Sequence, residues 1–343
     1  MSGKVAVFVA GSWGTALCQV LADNGHQVMV WTRSEQQAEE INSRHTNAKY
    51  LPGIMLHPNI QASTSMQEVM QEASACLIVA PSAAMRQVAS QMKPYWNNDM
   101  IVVHATKGFE TETLDRMSEV IISELGCDQD HLAVLSGPSH AEEVVRKCPT
   151  TVVIASTSKA TAERAQDLFM NDSYFRVYTN MDVIGVELAG ALKNIIALGA
   201  GMSDGLGFGD NAKAALITRG LTEIARLGKE MGAHVMTFAG LAGVGDLVVT
   251  STSKHSRNWR AGSMIGQGQA IEEVLANMGM VVEGIRTTKA AHFLAQKYHV
   301  QMPITDVLYR VLFEGLDPKT GVEQLMGRVR KYEIEEVAQT DWS

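Results

Sequence analysis

The sequence predicts an α/β domain over residues 1–180 followed by an all-α domain over residues 181–343. Three observations carry this. Continuous apolar runs, VAVFV at Val5–Val9, CLIVA at Cys76–Ala80 and MIVVH at Met100–His104, read as strands buried on both faces. Helical stretches alternate with these runs, as in a parallel sheet with crossover helices. After about Asn180 no further strand is convincing, and helical patterns take over without a Pro/Ser-rich linker.

A chain of 343 residues, 46% hydrophobic and 19% charged, is globular and long enough for two domains with ample cores. Its net charge of -8 argues against nucleic acid or an anionic membrane as main partner, so an anionic ligand needs a local basic site. Cys18, Cys76, Cys127 and Cys148 are scattered, with no CxxC and no His/Cys cluster. They read as reduced core thiols of a cytosolic protein, with neither a disulfide frame nor a metal site. No basic-then-apolar signal segment opens the sequence. The Asp182–Met202 segment has the length of a membrane span, but Glu187, Lys193 and Asn194 interrupt it, so a soluble chain is expected.

Taken in order, the strand Val5–Val9 is followed by Gly11-Ser-Trp-Gly14, a helix over Thr15–Asp23 closed by Asn24-Gly25, and a strand at Gln27–Trp31. This is a βαβ unit with glycines at its first turn, the dinucleotide-binding pattern. A tight turn there lets backbone N–H groups at the helix start approach a pyrophosphate. The G-x-G-x-x-G pattern is incomplete, because Val9 stands at its first position and only Gly11 and Gly14 remain. A plain turn of another doubly wound domain is the competing reading. At the end of the second strand an NAD-preferring site usually carries an acid. Here Arg33 and Ser34 come first and Glu35 only later, which suits a 2′-phosphate and favours NADPH; a solvated arginine at a helix start is the alternative.

Leu132–Leu135, Thr151–Ala155 and Tyr174–Tyr178 read as later strands. Ligands of such sheets bind outside the carboxyl ends of the strands. Lys107 and the Gly137–Ala141 turn fall at that edge, although either also suits an ordinary solvent loop.

In the helical half, the helix expected over Val183–Ala200 is apolar on nearly every face and therefore buried. Lys193 lies in its middle, beside Asn194. A buried ammonium is costly and needs a partner, a lowered pKa or a chemical role. Its helical neighbours Ala189, Gly190 and Ala197 are small and leave room for an approaching group. The competing readings are a lysine that snorkels to the surface or pairs with Glu187. Further helices are expected over Ala212–Met231, Ser256–Gly266, Ile271–Ala276, Gly284–Lys297 and Ile304–Phe313, while the Gly-rich residues 201–211 read as irregular. Asp246 follows a Gly-rich bend. Ser256, Arg257 and Asn258 at a helix start make a reasonable phosphate clamp. Glu283, after Val281 and Val282, suits either a ribose contact or a helix-entry acid.

Together the segments AGSWGTAL, HATKGFE, LSGPSHAEE, GVELAGALKNIIALGAGMSDGLGFGDNAKAALITRG, GVGDLVVT, SRN and VVEGIRTTK resemble the bacterial-type NAD(P)-dependent glycerol-3-phosphate dehydrogenases, over nearly the whole chain. The resemblance implies a Rossmann-like NAD(P)-binding domain, an all-helical substrate-binding domain, and reversible reduction of dihydroxyacetone phosphate to sn-glycerol 3-phosphate. The cofactor is expected to be NADP(H), with NAD(H) also accepted, and the product to supply glycerophospholipid synthesis. Residue by residue, Gly11, Ser12, Trp13, Gly14, Arg33, Lys107 and Ala141 are implied to contact the dinucleotide, with Arg257, Val281 and Glu283 from the helical domain. Lys107, Gly137, Ser139, Lys193, Asp246, Ser256, Arg257 and Asn258 are implied to hold the triose phosphate. Lys193 matches the catalytic lysine, which exchanges a proton with the carbonyl oxygen, its pKa lowered by burial and by Lys107. Asp246 either orients Lys193 or binds a substrate hydroxyl. A cytoplasmic homodimer without a metal is expected. Val9 departs from the glycine usual in the family. Dehydrogenases of a 3-hydroxy acid or a ketopantoate-like carboxylate would share the architecture and the lysine, and a non-catalytic NADPH sensor would share the turn.

Overall fold

A computed structural model describes residues 3–279 and 281–329. The chain divides into two compact units, one running to Glu110 and resuming over Asp115–Val183, the other formed by Thr111–Leu114 and the chain from Ile184 on.

The first unit is built on one sheet of eight strands: β1 (Lys4–Phe8), β2 (Gln27–Trp31), β3 (Ile60–Ser63), β4 (Ala73–Ile78), β5 (Ile101–His104), β6 (Leu132–Ser136), β7 (Thr150–Ala155) and β8 (Phe175–Asn180). Its helices are α1 (Ser12–Asp23), α2 (Glu35–Arg44), α3 (Met66–Met70), α4 (Met85–Met92), α5 (Met117–Leu125), α6 (Ala141–Val144) and α7 (Lys159–Phe169). The strand order is β3-β2-β1-β4-β5-β6-β7-β8, so the winding reverses beside β1. A reversal of that kind opens a crevice at the carboxyl ends of the flanking strands. Val5, Val7, Leu77, Val103 and Leu135 from the strands, with Leu17 and Leu21 of α1, are fully buried in one apolar core.

Two features depart from the expected pattern. β3 was not anticipated: it is a four-residue edge strand in which only Ile60 and Ala62 are buried. β7 runs antiparallel to β6, whereas the other pairings are parallel. The connection from Ser136 to Thr150 carries only the one-turn α6.

The second unit contains α8 (Val183–Gly205), α9 (Asp210–Glu230), α10 (Asp246–Thr252), α11 (Arg257–Gly266), α12 (Ile271–Met278), α13 (Glu283–Lys297), α14 (Pro303–Phe313) and α15 (Pro318–Met326). α8 is long and apolar enough to cross a membrane, yet 94% of its most apolar window is buried inside the protein. It continues through Gly201–Gly205, against the irregular segment expected there. The cause is packing. A Cβ on Gly201 would lie 2.0 Å from the Trp259 carbonyl, and one on Gly205 2.3 Å from the Ser263 carbonyl. From the other side, Gly262 and Gly266 approach the carbonyls of Leu198 and Met202 as closely. Helices α8 and α11 thus touch backbone to backbone, and that contact outweighs the weak helix propensity of glycine. α10 and α15 were likewise not anticipated.

Candidate active site

In the first unit, Gly11 caps α1 with extended backbone and no side-chain cap, and the first turn of α1 holds no acid. The N–H groups of that turn are therefore open to an anion. A Cβ on Gly11 would meet nothing within 4 Å, whereas one on Gly14 would lie 2.2 Å from the carbonyl oxygen of Val9. Gly14 is thus required by the close approach of α1 to the end of β1. Val9 itself has φ 80°, the left-handed conformation that glycine adopts freely. The chain keeps the glycine-like turn geometry with a β-branched residue in it, at a strain of about 1–2 kcal/mol. Ser12 donates from its hydroxyl to the Tyr50 carbonyl at 3.0 Å.

Beyond β2, Arg33 is exposed, and Ser34 caps α2 by accepting from Gln37 N at 3.2 Å. Beyond β5, half-buried Lys107 donates to the Gly137 carbonyl at 3.3 Å, and the Ser139 hydroxyl donates to the same carbonyl at 3.0 Å. The structure thus brings Lys107, Gly137 and Ser139 together at the carboxyl edge of the sheet. Gly137 has φ 135° and abuts Val152, where a Cβ would lie 3.0 Å from its Cα. The loop carrying Lys107 is held by Arg86, which pairs bidentately with Glu110 at 2.6 Å and with Glu124 at 2.5 Å. These carboxylates hold the Arg86 guanidinium above its ordinary range. Ala141 is buried at the start of α6.

In the second unit, Lys193 is 5% exposed, so it does not snorkel to the surface. Its ammonium donates to Asp246 Oδ1 and to Thr250 Oγ1, the latter at 2.6 Å. Asp246 is 1% exposed, so this ion pair is buried. It is aimed by the bend before it: Gly243 adopts φ -86°, ψ -105°, and a Cβ there would lie 2.0 Å from the Phe238 carbonyl. Thr250, one turn beyond Asp246 on α10, donates to the Asp246 carbonyl at 2.6 Å. Sequence reasoning missed Thr250; its i+4 spacing from Asp246 is the one signal that pointed to it.

Asn258 Nδ2 donates to Asn194 Oδ1 at 2.8 Å, and its Oδ1 accepts from Gly284 N at 2.8 Å. Asn258 therefore ties the residue beside Lys193 to the start of α13, with one Nδ2 hydrogen left for a ligand. The Ser256 hydroxyl caps α11 by accepting from Trp259 N at 3.2 Å, and Arg257, the first residue of that helix, is exposed. Glu283 opens α13, and Val281 just before it is 37% exposed.

A separate cavity of about 390 Å³ in this unit lies among α8, α9, α14 and α15, and its lining includes neither Lys193 nor Asp246. Glu223 lines it, fully buried, with its carboxylate accepting from Ile304 N at 2.6 Å and Thr305 N at 3.1 Å at the start of α14. Burial pushes the Glu223 carboxyl up to about 7 despite those hydrogen bonds.

Two family models match the chain: the NAD-dependent glycerol-3-phosphate dehydrogenase N-terminus over residues 4–162 and the corresponding C-terminus over residues 182–323. The glycerol-3-phosphate dehydrogenase [NAD(P)+] of Bacillus anthracis is 58% identical over 335 residues, covering 97% of this chain and 98% of its own. Among solved structures, glycerol-3-phosphate dehydrogenase from Coxiella burnetii matches with TM-score 0.90 at 40% identity, over 95% of this chain and 99% of that one. The Saccharomyces cerevisiae enzyme matches with TM-score 0.82 at 28% identity, over 95% and 99%. A ketopantoate reductase from Ralstonia eutropha, at 17% identity and TM-score 0.59 over 93% of this chain and 99% of that one, shares the fold alone. The chain belongs to the NAD-dependent glycerol-3-phosphate dehydrogenase family.

Proposed function

We propose that this chain is an NAD(P)H-dependent oxidoreductase that reversibly reduces dihydroxyacetone phosphate to sn-glycerol 3-phosphate, the backbone of glycerophospholipids. The observation that carries the reading is the buried Lys193–Asp246–Thr250 cluster in a chain 58% identical to a glycerol-3-phosphate dehydrogenase. The first unit fits the cofactor: an uncapped, acid-free helix start behind Gly11 suits a pyrophosphate, and exposed Arg33 suits a 2′-phosphate.

When bound, the reduced nicotinamide supplies the hydride to the ketone carbon. Negative charge then develops on the ketone oxygen, and the Lys193 ammonium donates a proton to it, taking the proton back in the reverse direction. Asp246 favours the charged form of the lysine, and Thr250 fixes the direction of its N–H bonds. Arg257 and the N–H groups at the start of α11 hold the phosphate, and that binding energy orients the carbonyl for reaction. Asn258 acts chiefly by aligning Asn194 with the start of α13.

The same reading places the protein in the cytoplasm as a homodimer. Exposed Phe313, Met326 and Val329 in the second unit supply apolar surface for a second copy.

The test follows loss of nicotinamide absorbance with dihydroxyacetone phosphate, with NADPH and NADH in parallel and unphosphorylated dihydroxyacetone as control. Turnover that requires the phosphate is expected. Equal turnover of both ketones, or turnover only with a 2-keto carboxylate, would overturn the assignment.

A further inference from the structure

We propose that Gln37, acting with Asn47, is a positioning residue that braces the turn between β1 and α1 against the Thr32–Ser34 loop, and so sets the fit of both ends of the dinucleotide. This rests on the cofactor reading given above. Ser34-Glu-Gln-Gln37 has the sequence of a capping box, in which the third residue's side chain normally returns to the cap's own N–H. Gln37 does not make that return. Ser34 N instead donates to Thr32 Oγ1 at 3.3 Å, and the Gln37 amide is directed elsewhere. Its Nε2 donates to the Ala10 carbonyl at 2.8 Å and to Asn47 Oδ1 at 3.1 Å, while its Oε1 accepts from Thr32 Oγ1 at 2.5 Å.

Asn47 is fully buried and completes the brace. Its Nδ2 donates to the same Ala10 carbonyl at 3.0 Å and to Thr15 Oγ1 of α1 at 2.8 Å. Both Nε2 hydrogens of Gln37 and both Nδ2 hydrogens of Asn47 are thereby used, so the network has one arrangement. Its focus is the carbonyl of Ala10, which lies between strained Val9 and the helix cap Gly11. A residue held at an unfavourable φ persists only when its surroundings over-determine it, and two amide donors on the next carbonyl do that. The other arm ends on Thr32, adjacent to Arg33. One side chain thus ties the pyrophosphate turn to the residue that would face the 2′-phosphate.

The test is Gln37→Met, which keeps length and removes all three hydrogen bonds. NADPH and NADH dissociation constants are measured directly by fluorescence titration without substrate, alongside thermal unfolding and steady-state kinetics. Both dissociation constants are expected to rise about tenfold, NADPH the more, with kcat and the KM for dihydroxyacetone phosphate within about twofold of the parent. A lower Tm with unchanged dinucleotide affinity would mark a merely structural residue and overturn the proposal. If Gln37→Met does not fold, Thr32→Val cuts the Thr32 arm, together with the acceptor for Ser34 N, and is expected to weaken NADPH about threefold; no change in that variant would also overturn it. Arg33→Ala separates this from the reading it rests on. An unchanged NADPH-to-NADH affinity ratio there removes Arg33 as the 2′-phosphate reader, while weakened binding of both dinucleotides in Gln37→Met still supports the brace.

Discussion

Asp246→Asn removes one charge from the buried pair while leaving its shape and one acceptor oxygen in place. Lys193 and Asp246 side chains are 6% and 1% exposed, so the ammonium left behind has almost no access to solvent. Breaking a buried ion pair from one side costs about 3–5 kcal/mol. The amide oxygen returns about 1 kcal/mol as a neutral acceptor. A net destabilisation of about 2–4 kcal/mol at pH 7 follows. Removing both partners, as in Lys193→Met with Asp246→Leu, leaves neither charge of the pair buried without the other, and such replacements are often neutral or stabilising. The double variant should therefore be more stable than Asp246→Asn, by about 2 kcal/mol or more. The pH dependence provides a second check. In Asp246→Asn the unpaired lysine has a folded pKa below its unfolded value near 10.4, so the unfolded chain binds more protons and stability rises from pH 7 to pH 9. Urea unfolding of the parent, Asp246→Asn, the singles Lys193→Met and Asp246→Leu, and their double at constant m measures each quantity. Asp246→Asn within about 0.5 kcal/mol of the parent, or strictly additive singles, would refute a buried charged pair.

Two further predictions concern local backbone and burial. Ala normally stabilises a folded chain relative to Gly, but at Val9 the order should reverse. Val9→Gly releases about 1–2 kcal/mol of left-handed strain and loses about 0.5–1 kcal/mol of backbone entropy, whereas Val9→Ala keeps the strain and loses the side chain. Chemical denaturation should rank Val9→Gly above Val9→Ala, and the opposite ranking would contradict the positive φ. For Glu223, the folded pKa of about 7 lies above the ordinary carboxylate value of 4.5, so the folded chain holds a proton the unfolded chain has released. Its contribution is fully present below pH 4.5 and is lost as pH rises toward 7, a change of about 3 kcal/mol. The stability difference between the parent and Glu223→Gln should shift in that direction across this window and stay flat above it; a constant difference would show that Glu223 ionises normally.

Much of the first unit was legible because parallel strands buried on both faces are written as unbroken apolar runs, and β1, β2 and β5 lie within one residue of those runs. β3 was not, since IQAS has only two inward positions and no flanking apolar residue. The end of α8 was misjudged for a different reason. Gly201 and Gly205 read locally as helix breakers, and only contact with Trp259 and Ser263, some sixty residues on, shows that they are packing sites. The site divides in the same way. Lys193 is visible in sequence because a charge within an apolar helix is anomalous by itself. Gln37, Asn47 and Thr250 are ordinary polar residues whose meaning lies in partners 27, 37 and 57 positions away. Asn258, read as a ligand contact, also ties Asn194 to Gly284 while keeping one Nδ2 hydrogen for a ligand, and no local pattern announces that tie.

The central claim is that Lys193 carries the proton in reduction of dihydroxyacetone phosphate. It is tested most directly by comparing parent and Lys193→Met under saturating NADPH and dihydroxyacetone phosphate, with NADPH affinity measured separately by titration. The account predicts that kcat falls about 10²–10⁴-fold while the NADPH dissociation constant stays within about twofold. A kcat within about tenfold of the parent, with the cofactor still bound, would contradict it.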